Sequence, residues 1–264
     1  MNSTANRVSV LKRIVPAPLR NVLRPYWNRI ASSPNEGDRW AREIANVGPA
    51  QRWEGLQQDE IAYWDDMLGS IRMNPKRPLQ PYLVSLIDAP SGSLVELLDV
   101  GAGPMTFLGY KWPGRKIHIT ALDPNASEYD RLLAKHEVDP PCRTTFGFVE
   151  DLSAFVKMSF FDLVHARNCI DHSKDPVKAI DQMVRATKPG CCVFLNHWIS
   201  EGRRNKYGGA HQWNLFPQEG RFFVDRPGMS PVDIGEMLKG RANVTIGSSP
   251  HGAEWFTVTI RRRA

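Results

Sequence analysis

The stretch LLDVGAGPMT at residues 97–106 constrains this chain more than any other. An apolar run, Val95-Glu96-Leu97-Leu98, stops at Asp99 and passes at once into Val100-Gly101-Ala102-Gly103, the pattern of a buried strand leaving a sheet through a tight bend. Gly101 and Gly103 remove side chains where backbone must approach a ligand, and a helix start beyond them would offer N–H groups and a positive dipole end. Strand and helix signals then alternate. Strands are expected at Leu94 to Val100, Ile117 to Leu122, Thr144 to Val149, Phe161 to Ala166 and Cys191 to Asn196. Helices are expected at Ser127 to Lys135 and at Asp175 to Thr187, the latter opened by Asp175-Pro176 and closed by Lys188-Pro189-Gly190. Such alternation predicts an α/β fold, a doubly wound parallel sheet with its ligand at the carboxyl ends of the strands. Two further strand-like runs, Ala242 to Ile246 and Trp255 to Ile260, are spaced as an antiparallel hairpin at the sheet edge.

Upstream, residues 35–90 read as a helical extension rich in aromatics (Trp40, Trp53, Tyr63, Trp64, Tyr82), broken by Pro75, Pro78 and Pro81. The predicted organisation is therefore a basic arm at 1–34, a helical extension at 35–90 and a ligand-binding domain at 91–264. With 264 residues, 42% apolar, the chain can bury a sizeable core, and no apolar run is long enough to span a membrane or serve as a secretory signal. A cytoplasmic protein is expected, with Cys142, Cys169, Cys191 and Cys192 as reduced, packed thiols. Residues 1–30 hold Arg7, Lys12, Arg13, Arg20, Arg24 and Arg29 and no acid, so the net charge of +6 resides there and the remaining 28 bases balance 28 acids. Apolar residues interleave with those cations. The arm could lie on an anionic membrane surface; the alternative is a basic arm that packs on its own domain or stays mobile. Nucleic acid is disfavoured as a partner because the rest of the chain has no net basic surface.

Beyond the glycine bend, Ala121-Leu122-Asp123-Pro124 places a carboxylate 22 residues after Gly101, where two oxygens can grip a ribose diol. Val149-Glu150-Asp151-Leu152 offers another acid near the base of a nucleoside. The unit fits an adenosine-containing cofactor. A nicotinamide dinucleotide calls for G-x-G-x-x-G, whereas Thr106 stands in the third place and Pro104 follows the second glycine; Asp99 would also repel a pyrophosphate while suiting an ammonium group.

In these motifs, residues 93–199 resemble the core of a class I S-adenosylmethionine-dependent methyltransferase. LLDVGAGP is similar to the first motif, ALDP to the second, FVEDL to the third, FDLVHARNCIDHSKDP to the fourth and ATKPGCCVFL to the strand that follows. The resemblance implies a Rossmann-like seven-stranded sheet with an antiparallel last strand, and S-adenosylmethionine as cofactor. Carried over by position, it implies that Asp99, Gly101, Ala102 and Gly103 line the methionine part, Asp123 and Pro124 the ribose, and Glu150, Asp151 and Leu152 the adenine, with Asn168 facing the sulfonium. Phe148-Val149 stand where many relatives have Asp-Ala, which leaves the adenine contact open between Glu150 and Asp151.

Methyl transfer to a hydroxyl needs a base, and His172, His197 and His211 are the candidates, with His211 and His172 preferred as catalytic. His211 lies in EGRRNKYGGAHQWNLFPQEG, where Tyr207, His211, Trp213 and Asn214 are expected to bind substrate in an acceptor wall or lid, or to form a surface Ω-loop. Asp162 and Asp171 lack metal-ligand spacing, so no metal is expected. The function expected is methylation of a small or saccharide-like acceptor at oxygen. The rival classes are an NAD(P)-dependent dehydrogenase on the same sheet and a non-catalytic S-adenosylmethionine-binding protein.

Overall fold

A computed structural model describes residues 48–71 and 73–264 together with residues 42 and 45; the basic arm and the start of the helical extension lie outside the described residues. Seven strands form the main sheet: β1 (Leu94–Val100), β2 (Lys116–Asp123), β3 (Thr144–Phe146), β4 (Phe161–Arg167), β5 (Thr187–Trp198), β9 (Ala242–Ser248) and β10 (Trp255–Arg262), in the order β3-β2-β1-β4-β5-β10-β9. The first five are parallel, and β10 runs antiparallel to both β5 and β9. From β1 the chain winds outward to β2 and β3, then returns to the other side of β1 for β4, so the order reverses between β1 and β4. A crevice opens at the carboxyl ends of strands flanking such a reversal. Six of seven β1 residues are buried, as a central parallel strand covered on both faces requires.

Three longer helices matter to the site. In α1 (Pro49–Leu68), a proline begins the helix and Gly69 follows its end. In α2 (Ala126–Lys135), Tyr129, Leu132 and Leu133 recur on one face and pack against Leu68 and Met105. In α3 (Pro176–Ala186), Asp175 caps the amino end by accepting from the Lys178 N–H, with Pro176 at the first position. Among the described residues, no helix is long and apolar enough to cross a membrane, and all four cysteines are free.

Three departures from the sequence-based expectations have physical reasons. β3 stops at Phe146 because its neighbour β2 ends at Asp123, opposite Phe146; Val149–Ala154 coils into a 3-10 helix instead of extending the strand. Helix gives way after Leu68, and among the described residues of 69–93 the one helical element is the single turn Pro81–Val84. The region after residue 213 holds a second, three-stranded antiparallel sheet: β6 (Asn214–Gln218), β7 (Arg221–Asp225) and β8 (Val232–Asp233). Its β6–β7 turn is Glu219-Gly220, both at positive φ as a two-residue hairpin loop demands. Pro217 within β6 hides that strand from a reading of the pattern.

Candidate active site

At the carboxyl ends of β1, β2 and β4 lies a cleft, in the place where open α/β sheets bind their ligands. Gly101, Asp123, Pro124, Glu150, Asn168 and His172 are in its wall. Its roof comes from α1, through Trp53, Gln57, Glu60 and Trp64. Spacings of four, three and four residues bring these side chains onto one helical face. Trp64 Nε1 donates to Glu60 Oε1 at 2.8 Å, and Asn125 Nδ2 donates to Gln57 Oε1 at 2.9 Å, which ties the roof to the tip of β2.

Both motif glycines are required twice over. Gly101 and Gly103 have φ of +61° and +64°, where side chains are disfavoured. A Cβ at Gly101 would also lie 2.5 Å from Cys169 Cβ and Sγ, and one at Gly103 2.7 Å from the Trp64 ring.

The Asp123 carboxylate accepts from the backbone N–H of Gly103 at 3.2 Å and of Asn125 at 2.9 Å. Burial pushes its carboxyl up to about 7 despite these donors, and the nearby charges of Glu60 and Asp99 add to the rise. Asp99 turns elsewhere: its Oδ1 lies 2.7 Å from Nδ1 of His165, its cross-strand neighbour on β4, and the residue is not among those lining the cleft. Of the two acids left open for the base, Glu150 lines the cleft, its Oε1 accepting from the Lys174 N–H at 2.6 Å, whereas Asp151 is exposed and paired with Lys178 at 2.7 Å. Ala102, Gly103 and Leu152 are buried outside the lining; Leu152 belongs to the main core. Asn168 leaves β4 at a φ of +49°, and its Oδ1 accepts from the Trp198 N–H at 3.2 Å.

Near Asn168, chain segments distant in sequence meet in a polar cluster of one buried carboxylate and two half-buried imidazoles. Asp171 and His172 sit in the 3-10 turn Ile170–His172, and His211 reaches them from 40 residues away. His211 Nδ1 lies 2.8 Å from Asp171 Oδ2 and 3.0 Å from His172 Nε2. Burial alone would raise the Asp171 carboxyl, but the neighbouring imidazoles of His172, His211 and His197 prevail and hold it at about 2. His197, itself 1% exposed, is pushed down to about 4 by burial and so stays neutral. Glu201 is raised by burial and by the Asp171 charge.

Of the expected substrate contacts Tyr207, His211, Trp213 and Asn214, none lines the cleft, and Tyr207, Trp213 and Asn214 are buried. Asn214 donates to the Tyr207 hydroxyl at 3.1 Å and to Asp225 at 2.7 Å, while Trp213 Nε1 donates to the Ser173 carbonyl at 2.9 Å. These bonds fasten the segment that carries His211 onto the turn that carries His172. Arg167, an exposed residue at the end of β4, lines the cleft and stands over the Trp255 ring at 5.5 Å; Trp255 in turn packs against Trp198 at 4.9 Å.

Residues 39–230 match the family model described as a methyltransferase domain. No curated protein matches the chain. Among solved structures, it is similar to an S-adenosylmethionine-dependent methyltransferase from Clostridium acetobutylicum, with 15% identity, coverage of 64% of this chain and 84% of that one, and a TM-score of 0.40. It is also similar to the N-methyltransferase NodS from Bradyrhizobium japonicum (15% identity, 66% and 88% covered, TM-score 0.43). A third is phosphoethanolamine N-methyltransferase 2 from Haemonchus contortus in complex with S-adenosyl-L-methionine (13% identity, 69% and 51% covered, TM-score 0.42), of whose length the chain spans about half. Since the family match runs from ahead of α1 to beyond β7, the chain belongs to the methyltransferase-domain family, and it is a class I S-adenosylmethionine-dependent methyltransferase.

Proposed function

We propose that the enzyme methylates a hydroxyl oxygen of a small or saccharide-like acceptor held between His172 and Arg167. The observation that carries this reading is the Asp171–His211–His172 cluster, its carboxylate buried and its imidazoles half-buried, which reaches the cleft through His172. A hydroxyl is a poor nucleophile until its proton leaves, and His172, held 3.0 Å from His211, which is in turn anchored by the Asp171 carboxylate at 2.8 Å, can receive it. Trp198 and Trp255 offer flat apolar faces beside the cleft mouth, on which the C–H face of a sugar ring can rest, with Arg167 and Arg204 over their rings as donors.

The cleft suits S-adenosylmethionine. When bound, that cofactor supplies an electrophilic methyl group on a sulfonium. Asp123 is buried in the cleft wall with two N–H donors already engaged and lone pairs left over, the acceptor set a ribose diol needs. Gly101 would lie against the methionine part, Pro124 beside the ribose, Glu150 toward the adenine and Asn168 near the sulfonium. Asp99 would act through His165 and the shape of the bend. Tyr207, Trp213 and Asn214 would support the acceptor wall by fixing His211. The Trp53–Trp64 face of α1 excludes water from above.

A panel of sugars, phenols and amines incubated with methyl-labelled cofactor tests the acceptor atom by NMR of the product. Label on oxygen is expected; label on nitrogen or carbon overturns the reading. His172→Ala and His211→Ala should each lower kcat by roughly 100-fold or more, the usual worth of a general base, and His211→Ala, outside the cleft lining, should leave S-adenosylhomocysteine affinity within about twofold. Unchanged kcat in both would remove these histidines from the chemistry.

A further inference from the structure

In the cluster at residues 171, 172 and 211, three atoms able to offer lone pairs converge so closely that protons satisfy them only through one hydrogen shared between two acceptors. A ring nitrogen carries either one N–H or one lone pair. His211 Nδ1 faces Asp171 Oδ2 at 2.8 Å, which calls for an N–H, and His172 Nε2 at 3.0 Å, which calls for its opposite whenever that nitrogen is protonated. If His172 Nε2 is unprotonated, it and Asp171 Oδ2 become two acceptors 3.5 Å apart competing for one hydrogen. One cation accepting three lone pairs removes the conflict.

We propose that Asp171 Oδ2, His172 Nε2 and His211 Nδ1 form a site for one divalent transition-metal ion at the edge of the cleft. The three atoms all lie within 4.8 Å of one another. Two further observations, one on Asp171 itself and one on Glu201 beside the triad, point the same way. Asp171 is 1% exposed, and its Oδ1 has no hydrogen-bond partner. Glu201, 7% exposed, has a partnerless Oε2, and its Oε1 stands 3.6 Å from His211 Nδ1, so it can serve as a fourth ligand or hold a ligand water. Two imidazoles and a carboxylate suit Zn²⁺, Fe²⁺, Co²⁺ or Mn²⁺ better than Mg²⁺ or Ca²⁺, which prefer oxygen throughout. Three protein ligands leave a position open, and His172 is the member that reaches the cleft wall.

The site departs from the sequence-based expectation of no metal, which looked only for spacing between aspartates. Its existence does not depend on oxygen methylation. Its role does rest on that reading: an acceptor hydroxyl in the open position would have its pKa lowered by the ion and release its proton to solvent water before taking the methyl group, and the two histidines would act as ligands rather than as bases.

The test uses full-length protein stripped with EDTA and dialysed, titrated calorimetrically with Zn²⁺ and Mn²⁺, and with Co²⁺ followed by its visible d–d absorption. One ion per chain is expected. Asp171→Asn and His211→Gln should each weaken binding by roughly 100-fold or more, since even outer-shell partners of a metal cost 10- to 100-fold, with a cooperative thermal transition showing that each variant is folded. Absence of saturable binding, or equal binding by wild type and both variants, overturns the site. Product analysis separates the two proposals: metal bound at the triad with label on nitrogen leaves the site standing and removes oxygen methylation. Label on oxygen undiminished in EDTA, with no ion bound, does the reverse.

Discussion

Asp123 is the residue on which cofactor recognition turns. Its carboxyl, pushed up to about 7 by burial and by Glu60 and Asp99, is partly protonated at neutral pH before any ligand arrives. A diol donates hydrogen bonds and so favours the ionised form, which means binding releases a proton and tightens as pH rises through that value. 5′-Methylthioadenosine, which lacks the titrating amino acid end, isolates this effect. Its affinity should fall roughly tenfold for each unit of pH below 7, one pKa unit being a factor of ten, and Asp123→Asn should flatten the profile; a flat wild-type profile would contradict the diol contact. Asp123 and the two glycines could be read from sequence because their relation is local: a strand, a bend and an acid at the next strand tip. The placement of Asp99 could not, since whether a buried carboxylate faces a ligand or a cross-strand histidine depends on which strand lies alongside. His165 became visible as its partner only once β4 was seen beside β1.

Among elements, α1 contributes most beyond what its sequence announced. Helical periodicity and the aromatics were plain, but a face bearing Trp53, Gln57, Glu60 and Trp64 reads equally as a packing stripe; only the fold shows that it roofs the cleft. Trp64 joins the two roles, stacking on Phe107 and meeting Tyr129 edge-on while covering Gly103. Trp64→Ala should therefore destabilise the protein by roughly 2–3 kcal/mol, below the range for wholly buried aromatics because Trp64 is half-buried, and should also weaken cofactor binding. Urea unfolding and calorimetry check both; a change within about 0.5 kcal/mol, the scatter of inert surface substitutions, would show that the roof is not anchored there. The strands of the main sheet and their directions were legible, including the β9–β10 hairpin, because each strand carried its own apolar run; their order across the sheet came only with the fold. The second sheet and the meeting of Asp171 with His211 were not: a proline interrupts β6, and no periodicity links residues 40 positions apart.

On the scale of the whole molecule, charge separates from catalysis. The net +6 belongs to residues 1–30, while the catalytic body is balanced. We propose that this arm brings the enzyme to anionic lipid, where each basic residue near the surface contributes about 1 kcal/mol. Full-length protein should sediment with anionic vesicles at low salt and lose that association in high salt or on deletion of residues 1–30, with kcat on a soluble acceptor unaffected; equal sedimentation of both forms would remove the membrane role. The central claim, however, concerns the body: a cofactor with an adenosine and a methionine end occupies the cleft, and Asp123 holds its ribose. Calorimetry with S-adenosylhomocysteine, NAD and the Asp123→Ala variant tests it most directly. S-adenosylhomocysteine should bind one site per chain, NAD should not compete, and the variant should lose affinity by about 10- to 100-fold, the worth of a charge-assisted hydrogen bond. Undiminished binding by the variant, or saturable binding of NAD in place of S-adenosylhomocysteine, would contradict it.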